Sequence, residues 1–183
     1  MLVLNEKMKK HLIDSELDSC NKYSSILSEK CPEFIEEDGC ILIKAEANED
    51  LSDSYSEYDE EDIECEEDIE CEEDIECEEY IQYGNDKTGY EADCNEFRFE
   101  DYFEDFQFSL SERAILSIEF ANLIGAELVR EFQGNKFYVI VSYDDGVDTH
   151  TLRFHKFREV EEPWIDINKL DGFEEEVAVV ILG

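Results

Sequence analysis

The sequence predicts an α+β protein, with a helix followed by an antiparallel β meander in a C-terminal domain over residues 96–183. Three observations carry that expectation. Ser109 and Glu112 stand three apart just before the apolar run AILSIEFANLI, the spacing of a capping box that opens a helix. The hydrophobic period then changes to two, in apolar runs punctuated by Gly-Asn and Asp-Gly dipeptides. Upstream, residues 47–95 have no such period, carry the unit DIECEE three times, and read as a disordered acidic linker. Residues 1–46 make a small N-terminal region of helix and strand.

Taken in chain order, Asn5 to Asp18 reads as a helix, with Met8, Leu12 and Leu17 spaced for one face. Asp38-Gly39 is a turn into a strand from Cys40 to Ala45. From about Asn48 the chain becomes polar and acidic, and YGNDKTGYEADCN after the repeat reads as a second loop. In EFRFEDYFEDFQF, Phe99, Tyr102, Phe103 and Phe106 fall at helical spacing, opposite Glu100, Asp101, Glu104 and Asp105. That pattern fits first an ordinary amphipathic core element, with an acidic-aromatic segment that docks on a partner as the sharper alternative. The capped helix should end at Gly125. AELVREF, KFYVIVSY and THTLRFHKF follow as strands joined at Gly134-Asn135 and Asp145-Gly146, then WIDI, a turn at Asp171-Gly172, and EVAVVIL.

Charge is the dominant feature of the composition: 52 acids against 15 bases give a net −37. From Glu57 to Glu79 there are 16 acids and no Lys or Arg, yet the flanking segments are also strongly acidic. Such a chain repels nucleic acid and anionic membrane and is drawn to basic protein surfaces. No apolar run fits a signal peptide or a membrane span, and seven cysteines read as free thiols of a reducing cytoplasm.

Signals of catalysis are poor, since among 52 acids the proximity of two carboxylates identifies no acid/base pair. His150 and His155 differ by an odd number, so strand alternation sets them on opposite faces, where surface or edge positions are expected. No nucleotide-binding, nucleophile-elbow or zinc-protease motif occurs, and no cofactor is expected. Cys65, Cys71 and Cys77 recur at a six-residue spacing that does not match zinc sites, and nearby carboxylates disfavour the thiolate. A helix would turn Ile63, Ile69 and Ile75 in three directions, so the repeat forms no helical apolar face. As an extended chain it sets Asp62, Glu64, Glu66, Asp68, Glu70 and Glu72 on one wholly acidic face. Extended, the 16 acids over the 23 residues from Glu57 to Glu79 space out to one per about 4.7 Å, sparser than a DNA duplex. That suits a flexible polyanion ordering against a basic groove, and equally a solvated tail expanded by duplication.

Tyr143-Asp144, Asp148 and Pro163-Trp164, set among strands that follow a helix, resemble the phage uracil-DNA glycosylase inhibitors, which are small acidic DNA mimics. The resemblance covers about 80 residues of the C-terminal part. That family opens its first strand with a Gln-Glu-Ser run, whereas Gln107-Phe108-Ser109 carries Phe at the Glu position. The resemblance implies acidic occupation of a basic DNA-binding cleft and leaves the target open.

The functional expectation is therefore a non-enzymatic inhibitor whose partner is a basic, nucleic-acid-handling protein. Asp144, Asp145 and Asp148 on one hairpin, with the Glu100, Asp101, Glu104 and Asp105 face, are the folded contact candidates. An immunity protein against a nuclease toxin has the same composition. An acidic metal-binding protein is the third class.

Overall fold

The computed structural model describes residues 1–13, 20–44 and 86–183. The DIECEE repeat and its acidic face, Asp62 to Glu72, lie outside the described residues, as does the far end of the helix expected to reach Asp18.

The fold is α+β, as expected, and is built on one antiparallel sheet. Its strands are β1 (Leu2–Leu4), β4 (Phe97–Arg98), β5 (Phe137–Asp144), β6 (Thr149–Lys156) and β7 (Glu176–Leu182), in the order β1-β7-β5-β6-β4. A hairpin joins β5 to β6, and β7 crosses to the far side of β5. Every residue of β5 from Phe137 to Tyr143 is buried because both sheet faces are covered. Val139 and Val141 face the helices with Leu152, Phe154, Ala178 and Val180. Tyr138 and Ile140 face the other way, with Val177, Val179 and Ile181, beneath Ile165 and Leu170.

The helical layer is led by α5 (Leu110–Glu131), which follows α1 (Glu6–Ile13), α2 (Cys20–Glu29), α3 (Lys87–Cys94) and the single turn α4 (Phe99–Tyr102). Ser109 and Glu112 form the reciprocal capping box read from their spacing. The helix does not stop at Gly125, and AELVREF is helical rather than a strand. Leu128, one turn beyond Ile124, is fully buried, so the apolar face continues to Phe132. Gly125 is there for close approach: a Cβ at that position would lie 2.2 Å from Leu182 Cδ1 and 3.4 Å from Val139 Cγ2. WIDI is likewise no strand; residues 163–169 bend across the outer sheet face and bury Ile165 while Trp164 stays exposed.

The N-terminal segment is not a separate region. Leu2, Val3 and Leu4 pair with Val180, Val179 and Ala178, extending the sheet beyond β7. Met8, Leu27, Phe34 and Ile41 belong to the same core as α5. Asn5, buried, accepts from Met8 N at 2.9 Å as the cap of α1 and from Val177 N at 3.1 Å, so one side chain starts a helix and holds a strand. The Asp38-Gly39 turn joins an unforeseen strand β2 (Phe34–Glu37) to β3 (Cys40–Ile43), and both turn residues have positive φ.

The loop expected over residues 83–95 is in its described part the helix α3, capped by Asp86, whose carboxylate accepts from Gly89 N at 2.9 Å. It is held from outside. Glu91, fully buried, accepts from Ile41 N at 2.6 Å and Lys156 N at 2.7 Å, and takes both arms of Arg158 at 2.7 and 2.8 Å. One turn on, Asn95 accepts from Ile43 N at 2.9 Å and donates to Ile41 O at 2.7 Å. Two side chains thus satisfy the free edge of β3, as a neighbouring strand would.

Candidate functional site

An acidic concavity lies where the β5–β6 hairpin meets the start of β7. Antiparallel pairing sets Tyr143 opposite His150 on one side and Glu176 on the other. The turn that follows carries Asp144, Asp145 and Asp148, and its form depends on two of them. Asp144 accepts from Gly146 N at 2.8 Å, and Asp148 adopts a left-handed backbone at φ 52°, a conformation aspartate tolerates better than most residues. Glu174 and Glu175, in the bend that leads into β7, and Glu176 at its head close a cleft of about 330 Å³ whose other lining groups are Tyr143 and Lys7. The Lys7 ammonium donates to the carbonyl of Glu174, and Glu176 pairs with the His11 ring. Five carboxylates therefore converge on a concave surface that holds one lysine.

Beneath the cleft, Tyr143 is buried between two imidazoles, with ring centroids 5.9 Å from His11 and 4.7 Å from His150. Burial, then the hydrogen bond to Asp148, pushes its phenol above the ordinary value. Asp148 is committed within the fold. Arg113 donates to its carboxylate at 2.7 Å and to its carbonyl at 3.0 Å, and the Tyr143 hydroxyl donates to it at 3.0 Å. The Arg113 hydrogen bond, then that from Tyr143, holds the Asp148 carboxyl below its usual range.

Glu100 is committed as well. Its carboxylate accepts from the His150 backbone N–H at 2.9 Å, from Arg113 at 3.1 Å, and lies 3.0 Å from His150 Nδ1. Burial raises this carboxyl, but the hydrogen bonds from His150 outweigh it and the group sits below its ordinary value. The helical face expected of EFRFEDYFEDFQF is thus divided. Glu100 turns inward, whereas Asp101 on the single helical turn and Glu104 and Asp105 just after it are exposed. Phe99 and Phe103 are buried in the core, and Phe106 and Phe108 pack against it. A second cavity of about 310 Å³ opens among these rings, bordered by Glu104, Gln107, Arg113 and Asp148. The two cavities flank the same hairpin.

Both strand histidines lie on opposite faces as alternation requires, but neither is at the surface: each is fully buried. Glu174, Glu175 and Glu176 were not among the sequence candidates. The run of three acids after Asp171-Gly172 was visible, but pairing β7 with β5 is what carries it to the hairpin. Trp164 is half-exposed and Pro163 exposed, both in the segment over the outer sheet face.

Among the described residues no group of three or more His, Cys, Asp or Glu side chains is arranged to hold a metal ion. The Cys31 thiol is pushed up to about 11, by burial first and then by Glu127 and Glu131. No described helix is long and apolar enough to cross a membrane. No curated protein and no solved structure matches the chain. Residues 3–181, spanning the sheet, the helical layer and the acidic cleft, match the Uncharacterized protein PM0498 family, and the chain belongs to that family.

Proposed function

We propose that this chain is a non-enzymatic acidic inhibitor that occupies the basic nucleic-acid-binding cleft of a DNA-processing or defence enzyme, such as a glycosylase, a restriction enzyme or a CRISPR nuclease. The observation that carries this is the convergence of Asp144, Asp145 and Glu174 to Glu176 on one concave surface holding a single lysine. Carboxylates there stand where phosphates would stand against Lys and Arg of the partner, and the net charge of −37 steers the encounter. Asp148 and Glu100 act within the fold instead, fixing the hairpin that presents the cleft.

The test is capture from candidate host lysate with the immobilised full chain, followed by competition with duplex DNA. The expected result is a basic enzyme that DNA and this chain hold in mutually exclusive complexes. Changing Asp144, Asp145, Glu174 and Glu175 to their amides should weaken the complex on the order of 100-fold at low salt, and by less at physiological salt. A captured enzyme that binds DNA and this chain together would overturn the proposal. If the captured enzyme is a nuclease toxin encoded beside this chain, the same contact belongs to an immunity protein.

A further inference from the structure

We infer that the aromatic cavity beside the hairpin accepts one arginine side chain of the basic partner. The inference rests on the reading of the acidic face above and names the residue type that face selects. The walls are Phe103, Phe106 and Phe108, in a cavity of about 310 Å³. Phe106 and Phe108 stack with parallel planes at 5.6 Å, and Phe103 meets Phe106 edge-on at 6.3 Å. Ring faces at the mouth of a pocket attract cations through their quadrupoles. The charge at the mouth has the matching sign. Arg113, the only cation lining the cavity, is already held by Glu100 and Asp148, whereas Glu104 is exposed and has no ion-pair partner among the described residues. A planar guanidinium stacks on aromatic faces and sheds water more readily than an ammonium, and its fork matches a carboxylate. The cavity therefore favours arginine over lysine, while the cleft across the hairpin takes either.

The test uses the full chain with isotope-labelled phenylalanine and a lysine-rich peptide whose central position is arginine, lysine, citrulline or leucine. Citrulline keeps the shape of arginine without its charge. The arginine peptide should bind about tenfold tighter than the lysine or citrulline forms and shift the Phe103, Phe106 and Phe108 ring signals. Phe108→Ala should abolish the preference. Glu104→Gln, which alters only an exposed side chain, should reduce it to about threefold in a protein whose folding is undisturbed. A leucine peptide that binds as tightly as the arginine one, with the same ring shifts, would overturn the inference by making the cavity a socket for apolar groups. Equal binding of all the peptides without ring shifts would overturn it too, yet leave the acidic cleft as their site. Failure of every peptide to bind would bring down both this inference and the function on which it rests.

Discussion

His155 has no exposed surface, its Nδ1 lies 3.2 Å from the carbonyl of Lys156, and its Nε2 has no partner among the described residues. Burial pushes its pKa below 6.5, outweighing the carbonyl and the nearby Glu91. The folded protein therefore holds it neutral at a pH where the unfolded chain has already taken up a proton. By linkage, the stability tied to this residue is complete above the unfolded pKa and is lost as pH falls from there toward the depressed folded value. Thermal unfolding followed from about pH 7.5 to about pH 5.5 should show the wild type losing stability relative to His155→Leu, which cannot titrate. Parallel curves for the two proteins would show that proton uptake at His155 does not oppose the fold. Its environment was hidden in the sequence because alternation assigns a face and not what covers it. Its ring lies 5.3 Å from that of Tyr138, on the sheet face where Ile165 and Leu170 pack from a segment whose apolar positions follow neither period.

At the scale of elements, α3 owes its place to contacts distant in sequence. Lys87–Cys94 is only eight residues long and sets a glycine with Thr, Tyr, Asp and Cys beside three good helix formers, so local propensity is modest. Glu91 meets Arg158 with both groups nearly or fully buried; burial works against the guanidinium charge, but Glu91 and Glu161 together outweigh it and hold the group above its ordinary value. Glu91→Gln leaves that guanidinium without its nearest counter-charge and should cost about 3–5 kcal/mol in urea denaturation. Replacing both residues with Leu and Met should recover most of the loss, since apolar isosteres avoid the desolvation penalty. A cost below about 1 kcal/mol for the single change would mean that α3 is held in some other way. Legibility follows the same division between local and distant causes. The Ser109 cap, the Asp38-Gly39 turn, the β5–β6 hairpin and β7 each carry their cause within a few residues, and each was readable. Gly125 was misread because a glycine after an apolar stretch commonly ends a helix, whereas here Leu182, 57 positions away, demands it. In the cleft, the three hairpin aspartates were legible as acids. That Asp148 serves Arg113 while Glu174 to Glu176 join Asp144 was not, because partner choice across a sheet is a tertiary fact.

For the whole molecule, charge sets the conditions of stability. With 52 acids against 15 Lys and Arg, acids outnumber bases by more than three to one, and the excess carboxylates repel one another through solvent. Raising sodium chloride from about 0.02 M to about 0.5 M should screen that repulsion and raise the melting temperature by about 3–5 °C. A fall in melting temperature would mean that ion pairs such as Arg153 with Glu96 outweigh the repulsion. The same salt increase should weaken capture of a basic partner, so stability and binding move in opposite directions.

The strand order β1-β7-β5-β6-β4 has a consequence for how the fold is reached. Its hairpin can zip as a local event, but among the described strands β1 pairs only with β7, more than 170 residues later. Sheet assembly must wait while a long loop closes, which raises the contact order and slows the search. During synthesis the first strand emerges with its hydrogen-bonding edge open, and Glu176, at the head of the strand that closes it, also completes the acidic cleft. Chain closure and the assembly of the binding surface are therefore the same late step.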